Sequence, residues 1–204
     1  DDDDLRRGKA TVHKQFDEAT AILAGDTLLT GAFEVIARNS SLPPERKAAI
    51  IALIARAAGA RGMAGGQQMD LDAENNATLS LDDLVTLHKS KTGALIAASC
   101  AAGAMAAGAP LATVEKLSAF GLTLGLAFQV TDDILDVTAS SETLGKSAGK
   151  DVAQGKLTYP ALLGLEKAKQ EAQRLSAEAK AQLAPIPNSA KLAALADYVV
   201  SRTK

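Results

Sequence analysis

The sequence predicts an all-α protein, and three observations support that fold class. Of the 204 residues, 42 are Ala, only 3% are aromatic and none is Trp. This composition favours helices, because Ala is the best helix former and sheets rely on aromatic and β-branched residues. Apolar residues recur at helical spacing in successive segments, and no segment alternates as a strand does. The length suits one domain, residues 1–204.

The first half of the chain contains three expected helices. Asp17 can cap a helix that ends near Arg38, because an aspartate oxygen accepts from the free N–H groups of a first turn. Pro44 lies where the first turn of a second helix tolerates a proline. Ser80 is expected to cap a third helix, with Asp83 at the third helical position completing a capping box.

The second half begins with an uncharged segment, residues 93–114, that is long enough to raise the question of a membrane span. It consists mostly of Ala, Gly and Ser, so we expect a buried helix with close neighbours and no stable membrane insertion. Thr113 is expected to open a long helix that continues to Asp136. Two further helices are expected after a stretch rich in Gly, Ser and Lys: residues 160–183 and 189–202.

Charge and cysteine content exclude some classes of protein. Lys and Arg total 22 and Asp and Glu total 24, which gives a net charge of −2. Such a balance does not favour a nucleic-acid partner. The single cysteine, Cys100, excludes an internal disulfide and fits a reducing compartment, so the expected location is cytoplasmic. The chain begins with Asp1 and not with Met, which predicts a piece truncated at the N-terminus.

The sharpest chemical signal is a cluster of three aspartates, Asp132, Asp133 and Asp136, preceded by Gln129. Residues three and four apart share a helical face, so Gln129, Asp132 and Asp136 point together and Asp133 flanks them. The macrodipole disfavours anions at this C-terminal end of an apolar helix. A divalent cation would offset the charge, and Mg²⁺ binds one or two carboxylates together with substrate phosphates. A solvated acidic helix end is the alternative.

Basic residues extend this pattern. A second acidic run at residues 1–4 precedes Arg6 and Arg7, which suits a metal-bridged polyphosphate because guanidiniums bind phosphate oxygens. Lys91 lies in an apolar helix, where an unpaired ammonium is costly, and Gly93 indicates a bend there. Three lysines lie in a glycine-punctuated loop that could close over a phosphate: Lys146, Lys150 and Lys156. A charged tail and a solvated lysine loop are the alternatives.

Two other kinds of site are not supported. Residues 144–147 resemble part of a nucleotide-binding P-loop, but position 140 is Ser where that motif needs Gly, and no strand precedes it. A di-iron bundle requires Glu-x-x-His pairs, and the residues three before His13 and His88 are not acidic. Neither histidine is therefore expected to bind a metal.

Five segments, in order along the chain, resemble the motifs of the trans-polyprenyl diphosphate synthases, most closely the bacterial farnesyl diphosphate synthases. They are residues 1–8 (DDDDLRRG), 65–71 (GGQQMDL), 91–93 (KTG), 128–136 (FQVTDDILD) and 155–160 (GKLTYP). The resemblance implies an antiparallel helical bundle around a deep central cavity, the isoprenoid synthase fold, usually assembled as a homodimer. It also implies a prenyltransferase that joins isopentenyl diphosphate to dimethylallyl or geranyl diphosphate and makes a short linear product, such as farnesyl diphosphate.

The same resemblance implies roles for individual residues. Three Mg²⁺ ions are expected with a bound diphosphate, and the implied metal ligands are Asp1, Asp132 and Asp136. The implied contacts to the allylic diphosphate are Arg6, Lys91 and Lys156, and Arg7 is implied to face isopentenyl diphosphate. Thr92 and Gln129 are implied to line the reacting carbons. Lys91, Thr92, Gln129 and Lys156 are thus the expected catalytic residues.

The chain departs from the family pattern in one respect, and two other functions stay open. The Asp pair that opens the family's first motif, four residues before Asp1, is absent, as are the helices upstream of it. A terpene cyclase would share the fold, but its second metal motif typically contains Asn, Ser and Glu. A non-catalytic subunit of a heteromeric synthase often lacks acidic or basic motif residues, which this chain retains.

Overall fold

The computed structural model describes residues 2–74, 79–138 and 156–203 of the chain. These residues form a helical fold with one short hairpin, which confirms the predicted all-α class. The hairpin strands are β1 (Leu5–Arg6) and β2 (Lys9–Ala10). The helices are α1 (Val12–Gln15), α2 (Glu18–Arg38), α3 (Pro44–Ala58), α4 (Met63–Ala73), α5 (Leu81–His88), α6 (Ala94–Ala106), α7 (Leu111–Thr138), α8 (Tyr159–Leu163), α9 (Leu165–Leu183) and α10 (Ala190–Ser201), with a π-helical turn (Lys89–Gly93) between α5 and α6.

The hairpin is an element that the sequence patterns do not predict. β1 and β2 pair antiparallel, with Leu5 opposite Ala10. Arg7 and Gly8 form the turn and both have positive φ, 54° and 74°, the conformation that matches the twist of a two-residue hairpin. Thr11 donates its hydroxyl to the Asp3 carbonyl at 2.7 Å and so fixes the chain after the hairpin.

The predicted helix starts in the first half of the chain are confirmed. The Asp17 carboxylate accepts a backbone N–H of the first turn of α2 at 2.6 Å. Pro44 is the first residue of α3, where its missing N–H costs nothing. Ser80 and Asp83 form the expected capping box at the start of α5. These three local signals therefore determine where the helices begin.

Helix α2 contributes no residue to the buried core. Five of its large apolar side chains are between 47% and 76% exposed: Ile22, Leu23, Leu28, Leu29 and Val35. Large apolar side chains exposed together on one helix often mark a surface that another protein segment covers.

Three segments are long and apolar enough to cross a membrane when length and composition are the only criteria: Glu18–Arg38, Pro44–Ala73 and Leu111–Thr138. None of them coincides with the uncharged segment, residues 93–114. The most apolar part of Leu111–Thr138 is 33% buried inside the fold, whereas that of Glu18–Arg38 is not buried at all.

Helices α6 and α7 pack with their backbones unusually close together. The face of α6 toward the core consists of small residues: Ala97, Ala98, Ala101 and Ala104. A Cβ atom built on Gly121 of α7 would lie 2.6 Å from the Ala97 Cα atom and 2.9 Å from the Ile96 carbonyl oxygen. Only glycine permits that approach, because the neighbouring atoms belong to the backbone and cannot rotate away. The small residues of the uncharged segment thus form the predicted buried helix with close neighbours.

Helix α7 lies at the centre of the core. Phe120 and Val130 are completely buried, and Leu124 is nearly so. They form one apolar cluster with side chains of α9 and α10, including Leu175 and Val199. Burial of this kind contributes about 25 cal/mol for each Å² of apolar surface removed from water. The apolar face of α7 therefore anchors the helix that carries the acidic cluster.

Two boundaries differ from those that the sequence predicts, and one helix was not predicted. α7 begins at Leu111 and not at Thr113, because Pro110 already accepts the first hydrogen bond, from the Thr113 N–H. The single helix expected over residues 160–183 is divided at Gly164 into α8 and α9. α4 was not expected, because its consecutive glycines have low helix propensity. Its packing against the π-helical turn outweighs that cost.

The close approach of α6 and α7 leads to a prediction about stability. We expect Gly121→Ala to lower the free energy of unfolding by about 1–3 kcal/mol, since the new methyl group meets backbone atoms that cannot relax cheaply. Gly103→Ala is the matched control on α6, where a Cβ meets nothing within 4 Å, and helix propensity should raise stability by up to roughly 1 kcal/mol. Urea unfolding of the full-length protein measures both. Equal effects of the two substitutions would contradict the packing.

Candidate active site

The predicted diphosphate-binding lysines meet at one carboxylate, that of Asp70 on α4. Lys91 Nζ donates to Asp70 Oδ2 at 2.6 Å, and Lys156 Nζ lies 3.7 Å from the same oxygen. The side chains of Asp70 and Lys156 are only 15% exposed, so salt screens their attraction less than it would at the surface. The structure thus brings together two cations that lie far apart in the sequence, through an acid to which sequence reasoning gave no role.

The π-helical turn places Lys91 next to α4. Such turns are rare, and those that occur are frequently at functional sites. The bend predicted at Gly93 is present in the structure as this turn. A Cβ atom built on Gly66 would lie 2.2 Å from the Lys91 backbone nitrogen. Glycine at position 66 therefore allows the backbone of α4 to reach the turn, and Asp70, one helical turn later, lies within reach of the Lys91 ammonium.

Thr92 joins the turn to the central helix. Its hydroxyl donates to Gln129 Oε1 at 2.5 Å. Gln129 lies three residues before Asp132 and shares its helical face. The resemblance implied that Thr92 and Gln129 both line the reacting carbons, and in the structure the two side chains are in direct contact. A hydroxyl and an amide therefore lie beside the acidic cluster and next to Lys91.

Asp132 and Asp136 lie four residues apart on α7 and supply only oxygen donors. Asp136 is 4% exposed, while the Asp132 side chain is 34% exposed. Among the described residues there is no group of three or more His, Cys, Asp or Glu that could hold a metal ion. Mg²⁺ does not require such a group, because it binds through one or two carboxylates and completes its octahedron with water and phosphate oxygens. The two carboxylates therefore fit a hard divalent cation.

Asp133 has a different environment from its neighbours. Its side chain is 7% exposed, and Oδ2 accepts the backbone N–H of Tyr159 at 2.9 Å. His88 Nε2 lies 3.6 Å from the same oxygen, and the His88 ring stacks on the Tyr159 ring with centroids 6.0 Å apart. Burial raises the pKa of the Tyr159 hydroxyl, so the phenol is held neutral. Asp133 thus anchors the segment that carries Lys156 to α7.

Asp132 is paired with a residue near the end of the chain. Arg202 Nη2 donates to Asp132 Oδ1 at 2.5 Å and to the Phe128 carbonyl at 3.2 Å. The sequence patterns gave Arg202 no role, because no local signal connects a residue after the last helix with an acidic cluster on α7.

Arg6 and Arg7 lie in the hairpin. Both are exposed, and their side chains form no ion pair or hydrogen bond with the other described residues. Lys14 lies 3.3 Å from Asp2 and 3.2 Å from Asp4, and its hydrogen bond is the main cause that lowers the pKa of Asp2. Asp1 lies outside the described residues, as do Lys146 and Lys150.

Relatives match nearly the whole chain. The sequence profile of the family described as Polyprenyl synthetase matches residues 1–193. A chloroplastic geranylgeranyl pyrophosphate synthase of Capsicum annuum is 49% identical over 205 residues, which cover 99% of this chain and 56% of that protein. A farnesyl diphosphate synthase of Haemophilus influenzae is 44% identical over 206 residues, which cover 99% of this chain and 69% of that protein.

A solved structure is similar over the same range. The geranyltransferase of Helicobacter pylori, crystallised with magnesium and isoprenyl diphosphate, has a TM-score of 0.84 and 37% identity, and the match covers 98% of this chain and 65% of that one. The chain spans little more than half the length of the Capsicum protein, 56%.

The anchoring role of Asp133 leads to a second prediction. We expect Asp133→Ala to lower the free energy of unfolding by about 1–3 kcal/mol, because it leaves the buried Tyr159 N–H without an acceptor. Asp133→Asn keeps an oxygen in place and should cost clearly less. Asp26→Ala, at an exposed position of α2, is the surface control and should change stability by less than about 0.5 kcal/mol. Urea unfolding of the full-length protein measures all three, and equal losses in the two Asp133 variants would exclude the anchor.

Proposed function

The chain belongs to the polyprenyl synthetase family, and from that premise we propose that the protein carrying it is a short-chain prenyltransferase. It joins isopentenyl diphosphate to dimethylallyl or geranyl diphosphate and releases a linear prenyl diphosphate and pyrophosphate. The Capsicum relative is named for a geranylgeranyl product and the Haemophilus relative for a farnesyl product. We propose farnesyl diphosphate as the product, because the motifs most resemble those of bacterial farnesyl diphosphate synthases.

One observation carries this proposal: Lys91 and Lys156 meet beside the hydrogen-bonded pair of Thr92 and Gln129. The two ammonium groups converge on one carboxylate oxygen, which concentrates positive charge next to Thr92. Lysines bind phosphate oxygens as point charges, so this position suits a diphosphate. The arrangement therefore suits a substrate with a diphosphate at one end and a reacting carbon beside Thr92.

The reaction requires an allylic C–O bond to break with charge separation. Asp132, Asp136 and Asp1 would hold divalent metal ions, which would supply Lewis-acid stabilisation of the negative charge that develops on the leaving pyrophosphate. Lys91 and Lys156 donate hydrogen bonds to the same oxygens, and these bonds strengthen as the charge grows. Thr92 and Gln129 are proposed to line the reacting carbons. Arg6 is proposed to bind the allylic diphosphate as well, and Arg7 to bind isopentenyl diphosphate.

The C–C bond forms when the isopentenyl double bond attacks the allylic cation. A proton then leaves the adjacent carbon and is taken up by the released pyrophosphate, so no side-chain base is needed. The histidine nearest the acidic cluster fits this view, because His88 is 6% exposed and packed against Tyr159. A cation of this kind survives only where water is excluded.

The proposal includes the assembly and location of the protein. We propose a homodimer, supported by the exposed apolar side chains of α2. We propose no stable membrane insertion, supported by the acidic residues of α7, and no nucleic-acid partner, supported by the net charge of −2. A cytoplasmic location is proposed on the single cysteine. We also propose that three Mg²⁺ ions accompany the bound diphosphate.

Product analysis tests the proposed activity. The full-length protein is incubated with Mg²⁺, isopentenyl diphosphate and dimethylallyl diphosphate, and mass spectrometry should detect a linear C15 diphosphate. A C20 product would support the prenyltransferase activity and show that the product is not farnesyl diphosphate. A cyclic hydrocarbon released from farnesyl diphosphate alone would indicate a terpene cyclase. A folded protein that forms no product would indicate a non-catalytic subunit.

The role of Asp132 as a metal ligand gives a third prediction. We expect Asp132→Asn to lower kcat by about 1,000-fold, which corresponds to ~4 kcal/mol of transition-state stabilisation. The fold should be retained, since the amide has the same shape as the carboxylate. Asp197→Asn on α10 is the control, because Asp197 is an exposed acid paired with Lys180. Steady-state kinetics with geranyl diphosphate measures both variants, and a loss below tenfold in Asp132→Asn would exclude the assignment.

A further inference from the structure

Arg202 is buried beside the acidic cluster at the end of α7. Its side chain is 11% exposed, while that of its partner Asp132 is 34% exposed. Several contacts hold the guanidinium besides Asp132. Its carbon atom lies 4.0 Å from the centre of the Phe128 ring, Nη2 donates to the Phe128 carbonyl at 3.2 Å and Nε donates to the Val199 carbonyl at 3.3 Å. A ring and two carbonyls therefore fix the guanidinium independently of Asp132.

The fixed guanidinium uses one carboxylate oxygen of Asp132 and leaves the other available. Nη2 donates to Oδ1 at 2.5 Å, and Oδ2 has no hydrogen-bond partner among the described residues. A carboxylate held through one oxygen cannot rotate freely, so Oδ2 keeps one direction. Mg²⁺ demands near-ideal octahedral geometry. A carboxylate with a fixed orientation therefore loses less conformational entropy when it coordinates the cation than one that rotates freely.

We propose that Arg202 is a positioning residue for the metal ligand Asp132. It holds Oδ1 so that Oδ2 alone coordinates the cation, and it acts on the substrate only through Asp132. This inference rests on the proposed function of the site. Partners that orient a metal ligand typically contribute 10-fold to 100-fold to metal affinity or activity.

Charge alone predicts the opposite result, which makes the proposal testable. A guanidinium near a metal site repels the cation, so removal of its charge should by itself tighten Mg²⁺ binding. Removal of an orienting contact should weaken binding. The direction of the change in an Arg202 variant therefore separates the two roles.

The test measures binding of Mg²⁺ by isothermal titration calorimetry of the full-length protein, with inorganic pyrophosphate at the same saturating concentration for every variant. We expect Arg202→Gln to weaken binding about 10-fold. Arg202→Lys should lie between Arg202→Gln and the unmodified protein, because an ammonium keeps the charge and lacks the planar fork of arginine. Arg174→Gln is the matched control on α9, where Arg174 is 57% exposed and paired with two glutamates, and its binding should be unchanged.

A double-mutant cycle tests whether Arg202 acts through Asp132. The variant that combines Arg202→Gln with Asp132→Asn should bind no more weakly than Asp132→Asn alone, because the residue that Arg202 positions is already lost. Additive losses, or binding by Arg202→Gln that equals or exceeds that of the unmodified protein, would overturn the proposal. Circular dichroism confirms that each variant is folded. Absence of binding in the unmodified protein would instead count against the proposed function of the site.

Discussion

Three carboxylates crowd the C-terminal end of α7, and much of the surrounding structure compensates their charge. The macrodipole already disfavours anions at that end of a helix, so each acid needs a donor or a cation. Asp133 accepts a hydrogen bond from the Tyr159 N–H, and Asp132 accepts one from Arg202. Each partner comes from a different segment after α7. The electrostatic demand of one helix end therefore fixes the position of segments that are otherwise distant in the sequence.

The sequence alone predicts the parts of the fold that depend on local chemistry. The Asp17 cap, the proline at the start of α3 and the capping box at Ser80 are each specified within four residues, and the structure contains all three. The buried alanine face of α6 follows from composition. The hairpin was missed because its strands have two residues each, which is too short for alternation to show.

The site likewise contains residues that the sequence identified and residues that it did not. Lys91, Thr92, Gln129 and Lys156 were identified by resemblance to motifs, and the structure gives them a shared location. Their connecting residues were not identified, because nothing near Asp70 or Arg202 in the sequence indicates a partner many turns away. Only the folded chain shows that Asp70 holds both lysines. Contacts that depend on tertiary packing carry no sequence period, so pattern analysis has no means to detect them.

The exposed apolar side chains of α2 have a thermodynamic consequence. Water that surrounds exposed leucine and isoleucine side chains contributes to heat capacity, and its release on association lowers the heat capacity of the complex. Because the hydrophobic driving force fades on cooling, any contact that shelters this helix should loosen in the cold. An assembly formed through α2 would accordingly hold together better at room temperature than near freezing.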